Sequence, residues 1–322
     1  MSELILESIN DNHIESAARL ALSEYFEECC AVPILPEADY LELFCKMITE
    51  LADPDLGTVA IESGKVVGFL TCYQPWENHF GTTLGTFSPV HAHGTVKQNR
   101  RRIYSQLYQA AAEKWVSRGI LSHAIALYAH NHEAVDSFFW NGFGMRTVDA
   151  IRPVEPILCE GFSNAAFYEL PDEEIDRIVP LKNSLIAHLR DTPMFIPLFF
   201  QMDTSKVKVE NESRKSRYFV ATVKDEIAAF VEIMASGENF TCQDTGMANI
   251  CGAYMFPQYR GSGIYTKLLS FLMETLAAEG YTRCGVDFES FNPTARGFWL
   301  KYFSAYTYGV VRRVDERILK HT

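Results

Sequence analysis

The sequence predicts an α/β (α+β) chain assembled from two copies of one fold. Three observations carry the prediction. Residues recur at one ungapped offset, apolar patterning gives the same order of strands and helices on both sides of the middle, and a glycine-bearing loop joins a strand to an amphipathic helix in the second copy. The offset is 161: Ile103-Tyr104-Ser105-Gln106-Leu107 resembles Ile264-Tyr265-Thr266-Lys267-Leu268, and Asn131-x-x-Ala134 resembles Asn292-x-x-Ala295. Glu113, Gly119 and Arg152 likewise meet Glu274, Gly280 and Arg313, and 161 is half of the 322 residues. The expected domains are 1–158 and 159–322, with their boundary in the segment 159–164.

In the first copy, residues 4–9 read as a strand, and 13–29 and 36–51 as helices separated by Pro33 and Pro36. Residues 58–62 and 66–73 form a hairpin around Ser63-Gly64. A strand at 85–93 precedes a helix at 100–118, a strand at 122–128, a helix at 133–141 and a last strand at 145–154. The second copy repeats this order: strand 166–170, helix 172–190, hairpin strands 218–223 and 226–235 turning at Lys224-Asp225, strand 248–255, helix 264–279, strand 283–288, helix 293–303 and strand 307–315. Ile264, Leu268, Leu272 and Leu276 recur every four residues, which gives that helix one face to bury against a sheet.

Hydrophobic residues at 48% and aromatics at 13% supply sizeable cores and exclude a disordered chain. A net charge of −12 offers no general attraction to phosphate backbones, so nucleic acid is not an expected partner. The eight cysteines include no C-x-x-C pair and read as reduced thiols of a cytoplasmic protein. The opening MSELILESINDNH lacks a basic stretch followed by an apolar run, and no segment approaches the length of a membrane span. A monomer or homodimer without membrane or metal is the expectation.

The informative segment runs from Tyr254, Met255 and Phe256 through Pro257 to Gln258, Tyr259, Arg260, Gly261, Ser262, Gly263 and Ile264. Two glycines let the backbone turn and a ligand approach, and the unpaired amides of the helix start lie at its positive end. Together they form an anion cradle, and Arg260 adds a charged contact to a phosphate. The run Gln258-x-x-Gly261-x-Gly263 resembles the Q/R-x-x-G-x-G/A acetyl-CoA motif of the GCN5-related N-acetyltransferase (GNAT) family, and the segment from Asn292 to Trp299 resembles that family's N-x-x-A-x-x-F-Y helix. The resemblance covers both halves. It implies two tandem acyl-CoA N-acyltransferase folds, each a mixed, mostly antiparallel sheet with helices on both faces. It further implies that residues 259–264 hold the CoA pyrophosphate, that Asn292 contacts the pantetheine region, and that the strand ending at Tyr254–Met255 splays from its neighbour and turns backbone groups toward the thioester.

The first copy departs from that motif. Arg100 and Arg102 stand where Gly261 and Gly263 do, so the reading is a copy that keeps the fold without the cofactor; phosphate binding by the arginine side chains and a solvated basic face are the alternatives. Acetyl transfer to an amine needs a base for the nucleophile and a proton for the leaving thiolate. The family's usual Tyr acid aligns with Trp299, whose indole is a poor acid, so Tyr302 one turn on is the substitute, with Tyr306 and Tyr308 as further options. Asp287 and Glu289, on one strand face before Asn292, are the base candidates, against an ion pair with Arg283 or Arg296 or a helix cap; Glu232 is a second candidate.

His91-x-His93 has metal spacing without an evident third ligand, Asp172 to Glu174 reads as an acidic first turn, and Arg312 to Arg317 as a mixed-charge strand edge. The resulting expectation is an N-acetyltransferase that uses acetyl-CoA on a primary amine of a small molecule or peptide. A non-catalytic acyl-CoA-binding protein is the alternative, and a longer or different acyl donor a third reading.

Overall fold

The computed structural model describes residues 3–159 and 164–320, so 160–163 of the expected boundary segment lie outside the described residues. Two compact units are present: Met1–Val148 with Ala305–Thr322, and Asp149–Ser304. The halves 1–158 and 159–322 are therefore not the compact units. The last strand of the first half runs into the second unit, and that of the second half belongs to the first.

In the first unit come β1 (Leu4–Ser8), α1 (Ile14–Ala31), α2 (Leu41–Leu51), β2 (Thr58–Glu62), β3 (Lys65–Leu70), β4 (Gly85–Ser88), β5 (His93–Thr95), α3 (Arg100–Ser117), β6 (Ser122–Tyr128), α4 (His132–Trp140) and the start of β7 (Gly144–Pro153). Strands β1, β2, β3 and β5 pair antiparallel in that order, while β4 pairs parallel with β6. Nearly all of β13 (Ser304–Arg313) lies in this unit, antiparallel to β6. The expected single strand at 85–93 is thus two. Pro89 has no amide to donate, and the chain changes partner there from β6 to β3. The helix expected from residue 36 begins at Leu41, where Asp39 Oδ1 accepts from the Leu41 amide at 3.2 Å. Ile103, Leu107, Ala111 and Trp115 of α3 anchor the core.

The second unit holds the end of β7, then β8 (Ala165–Glu169), α5 (Val179–Arg190), α6 (Thr204–Arg214), β9 (Arg217–Val223), β10 (Glu226–Met234), β11 (Met247–Met255), α7 (Ile264–Ala278), β12 (Arg283–Glu289) and α8 (Pro293–Tyr302). Its sheet order is β12-β11-β10-β9-β8, antiparallel except for the parallel pair β11–β12. Neighbouring residues of β9 point to opposite faces. Phe219 meets Phe271 of α7, whereas Tyr218 and Val220 share a core with Leu181 of α5 and Val207 of α6, so helices cover both faces. The helix expected at 172–190 opens as a 3₁₀ turn (Asp172–Ile178) and becomes α-helical at α5, where Pro180 in the first turn has no amide that a partner would need. Helix α6 was not expected: of its eleven residues only Val207 is buried, and Asp203 caps it by accepting from the Lys206 amide at 2.9 Å.

Leu268, Leu272 and Leu276 are fully buried, as the spacing in α7 predicts. Replacing Leu272 with Ala removes packed side-chain volume that the sheet cannot refill, and is expected to lower unfolding free energy by about 2–5 kcal/mol in a urea titration.

Candidate active site

Hydrogen bonding between β11 and β12 stops early. The parallel register runs from Met247↔Arg283 to Ile250↔Val286, whereas β11 continues beside β10 as far as Met255↔Ala229. A register shift between Glu232 and Ile233 leaves Cys251 as the extra residue of a bulge at the same place. Beyond Ile250 the two strands form a fork, as the resemblance implies. Cys251 to Met255 border one side of it and Asp287 to Glu289 the other.

The loop after β11 makes a 3₁₀ turn (Pro257–Tyr259) and then passes through Gly261 and Gly263 at φ of +77° and +78°. Both are in the left-handed region that side-chain-bearing residues avoid. A Cβ built on either meets nothing within 4 Å, so the glycines serve backbone conformation and leave open space at the helix start. Gly263 is the N-cap of α7 and has no side chain to cap it, while Ser262 Oγ accepts from the Ile264 amide at 3.4 Å. Ser262 Oγ donates to the Tyr259 carbonyl at 2.6 Å, which fixes the turn. Arg260 donates to the Met255 carbonyl at 3.3 Å, and its guanidinium lies 5.7 Å from the centre of the Tyr254 ring.

A cavity of 310 Å³ opens beside this loop, within the size range of small-ligand sites. Tyr254, Met255, Arg260, Gly261, Asn292 and Trp299 of the expected set line it. Phe256 is packed into the core beside Tyr254 instead. Gln258, Tyr259, Ser262 and Gly263 form the turn outside the cavity, and Ile264, the first residue of α7, is buried. The buried Asn292 caps α8, its side-chain oxygen accepting from the Ala295 amide at 3.3 Å and from Thr294 Oγ1 at 2.8 Å. Leu185 and His188 of α5 complete the wall, and sequence reasoning missed both. They come from a helix far from the loop, and their only signal is an i, i+3 spacing on one helix face. His188 lies 3.5 Å from Thr294 Oγ1, and its ring is 6.1 Å from that of Tyr254. Burial, then the Arg260 charge, pushes its pKa down, so the imidazole is neutral near pH 7.

Asp287 is the first residue of β12 past the fork. It is an exposed residue outside the cavity wall, yet enough protein surrounds it that desolvation, and then Asp149, Glu238 and Glu289, push its pKa up to about 7. The cations considered as its partners are engaged elsewhere: Arg283 pairs with Asp244 at 2.6 Å, and Arg296 donates to the Ser290 carbonyl at 3.0 Å. Glu289 sits two residues on, its carbonyl accepting the Asn292 amide at 3.0 Å. Tyr302 is not among the lining residues; its hydroxyl is 3.3 Å from Thr266 Oγ1 in the first turn of α7. Glu232 is buried in an ion pair with Lys182 at 3.1 Å. In the first unit, His93 is a core histidine, with one ring nitrogen 3.0 Å from the Tyr104 hydroxyl and the other 2.7 Å from the Ala126 carbonyl. No group of three or more potential metal ligands stands together among the described residues. None of the described helices is long and apolar enough to cross a membrane.

Residues 185–304 match the family model described as Acetyltransferase (GNAT) family, and this segment is a GNAT domain. Among solved structures, a GCN5-related N-acetyltransferase from Sphaerobacter thermophilus matches with a TM-score of 0.58 at 12% identity, over 96% of this chain and 95% of that one. The glucosamine N-acetyltransferase region of a fungal multi-domain GH3 β-N-acetylglucosaminidase gives 0.52 at 14% identity, over 97% and 38%. A tandem GNAT protein from the clavulanic acid biosynthesis pathway gives 0.49 at 14% identity, over 98% and 99%. No curated protein matches the sequence. At these identities the likeness to the first two is one of fold.

Two measurements check the geometry. Gly263→Ala places a side chain in the left-handed region and is expected to cost about 1–2 kcal/mol in chemical denaturation. Asp287 binds its proton more tightly folded than unfolded, so its contribution to stability is present below the ordinary carboxylate range and is lost as pH rises through about 7. Asp287→Asn carries no charge at any pH, and should raise Tm by more at pH 8 than at pH 5.

Proposed function

We propose that the chain is an acetyl-CoA-dependent N-acetyltransferase acting on a primary amine of a small molecule or peptide, through residues 159–322. The observation that carries this reading is the left-handed Gly261–Gly263 turn at the start of α7, opening onto a cavity beside forked strands. A pyrophosphate suits that turn because it is anionic, the helix presents its positive end there, and neither glycine carries a Cβ in the way. Asn292, Tyr254 and Met255 would flank the pantetheine arm, and Trp299 would close the apolar side of the channel. Past Ile250, β11 has lost its β12 partner, so its backbone groups are available to the thioester carbonyl, where a donor stabilises the oxyanion.

In the reaction the amine nitrogen attacks the thioester carbon, the C–S bond breaks, the nitrogen loses a proton and the thiolate gains one. Asp287, poised near pH 7 at the mouth of the fork, is our base, with Glu289 beside it holding the ammonium form of the acceptor. Tyr302 is our candidate for protonating the thiolate. The second reading, a protein that binds acyl-CoA without turning it over, draws on Trp299, which is buried against the cavity where a Tyr acid would stand.

A thiol-release assay with acetyl-CoA and a panel of amines separates the two. Release that depends on the amine supports the transferase, whereas binding without release supports the second reading. With an accepted amine, kcat/KM is expected to rise with pH through an inflection near 7. Asp287→Asn should lower it by roughly 10²–10⁴-fold and remove that inflection. Full activity of a D287A/E289A variant would remove both carboxylates from the mechanism.

A further inference from the structure

The 161-residue offset allows the cavity wall of the second unit to be compared with the first, position by position. Leu185, His188, Tyr254, Gly261, Tyr265 and Asn292 all line the cavity. Their counterparts are Glu24 and Glu27 of α1, His93 of β5, Arg100 and Tyr104 of α3, and Asn131 at the start of α4. In the first unit these six are knitted together. Arg100 Nη1 and Nη2 donate to the two oxygens of Glu27 at 2.8 and 3.0 Å, and Arg100 Nε lies 3.6 Å from Glu24 Oε1. Glu24 also accepts from Asn131 Nδ2 at 2.9 Å, the Thr95 amide at 2.8 Å and the Tyr104 hydroxyl at 2.8 Å from its nearer oxygen; that hydroxyl is in turn 3.0 Å from His93 Nδ1. Glu24 is 2% exposed and Arg100 4%.

Resting on the reading that the second unit holds an acyl-CoA, we propose that the Glu24–Arg100–Glu27 clamp seals the equivalent cleft of the first unit, so that the chain takes one acyl-CoA and not two. The residues the copies share do similar work in each. Asn131 caps α4 as Asn292 caps α8, accepting from the Ala134 amide at 3.2 Å. The residues that differ decide the outcome. Leu185 carries no charge and Gly261 no side chain, so these two positions cannot form the ion pair that Glu24 and Arg100 make in the first unit. In the first, the arginine that could have met a phosphate is turned inward between two carboxylates. Arg101, its neighbour, pairs with Asp136. A pantetheine arm would have to part the bidentate Arg100–Glu27 pair and strip the buried guanidinium of its two strongest hydrogen bonds, a penalty that an incoming thioester does not offset.

Titration calorimetry of the full chain with acetyl-CoA tests the proposal. One site per chain in the wild type and none in Gly263→Arg is the expected result. Two sites in the wild type, or a site surviving in Gly263→Arg, would overturn the seal while leaving acyl-CoA binding in place. No binding to the wild type would remove the acyltransferase reading itself, and the one-site prediction with it. Arg100→Ala is expected to lower Tm while leaving the acetyl-CoA Kd within twofold. A tenfold loss of affinity would make Arg100 a phosphate ligand and sink the proposal. Arg100→Lys, which keeps the charge, gives the same readout if the alanine variant does not fold, and the wild-type stoichiometry is decisive without either.

Discussion

The loss of pairing between β11 and β12 after Ile250 is the constraint from which the rest of the site follows. A parallel pair that stayed zipped would leave no space for a ligand between its strands. Because the bulge at Cys251 redirects β11 while β10 still holds it, the strand stays ordered and its outer backbone edge comes free of β12. The loop after it then delivers the start of α7 to the opening of the fork, and Asn292 at the end of the partner strand brings α8 to the other side. One missing stretch of ladder thus opens the space into which the cavity beside α7 extends, while Asp287 and Glu289 follow on the other strand outside the cavity wall.

The same break explains why Asp287 behaves unlike an ordinary surface aspartate. It is the first residue of β12 without a β11 partner, and it shares its surroundings with Asp149, Glu238 and Glu289. Desolvation by the surrounding protein, and then repulsion from these carboxylates, keeps its proton on to near neutral pH.

Much of this was legible in the sequence, and for reasons that can be traced to particular residues. Helix α7 announces itself because Leu268, Leu272 and Leu276 all face the sheet. The cradle is legible because its turn needs two left-handed residues, and glycine meets that need cheaply. Helix α6 is not legible, since a helix that buries only Val207 has no apolar stripe to read. Nor was the division of the strand at 85–93, where partner exchange and not local propensity breaks the element. The environment of Asp287 was out of reach because Asp149 and Glu238 are distant in sequence. Leu185 and His188 were out of reach for the same reason.

The exchange of terminal strands has a consequence for how the molecule is made. The first compact unit includes residues 305–322, and β6 finds its antiparallel partner only in β13. As the polypeptide leaves the ribosome, everything needed for the GNAT segment at 185–304 emerges before the piece that closes the earlier unit. The amino-terminal body must therefore wait with an unsatisfied sheet edge while the later one is synthesised. A strand edge in that condition is a template for pairing with other chains until residues 307–313 take their place along β6.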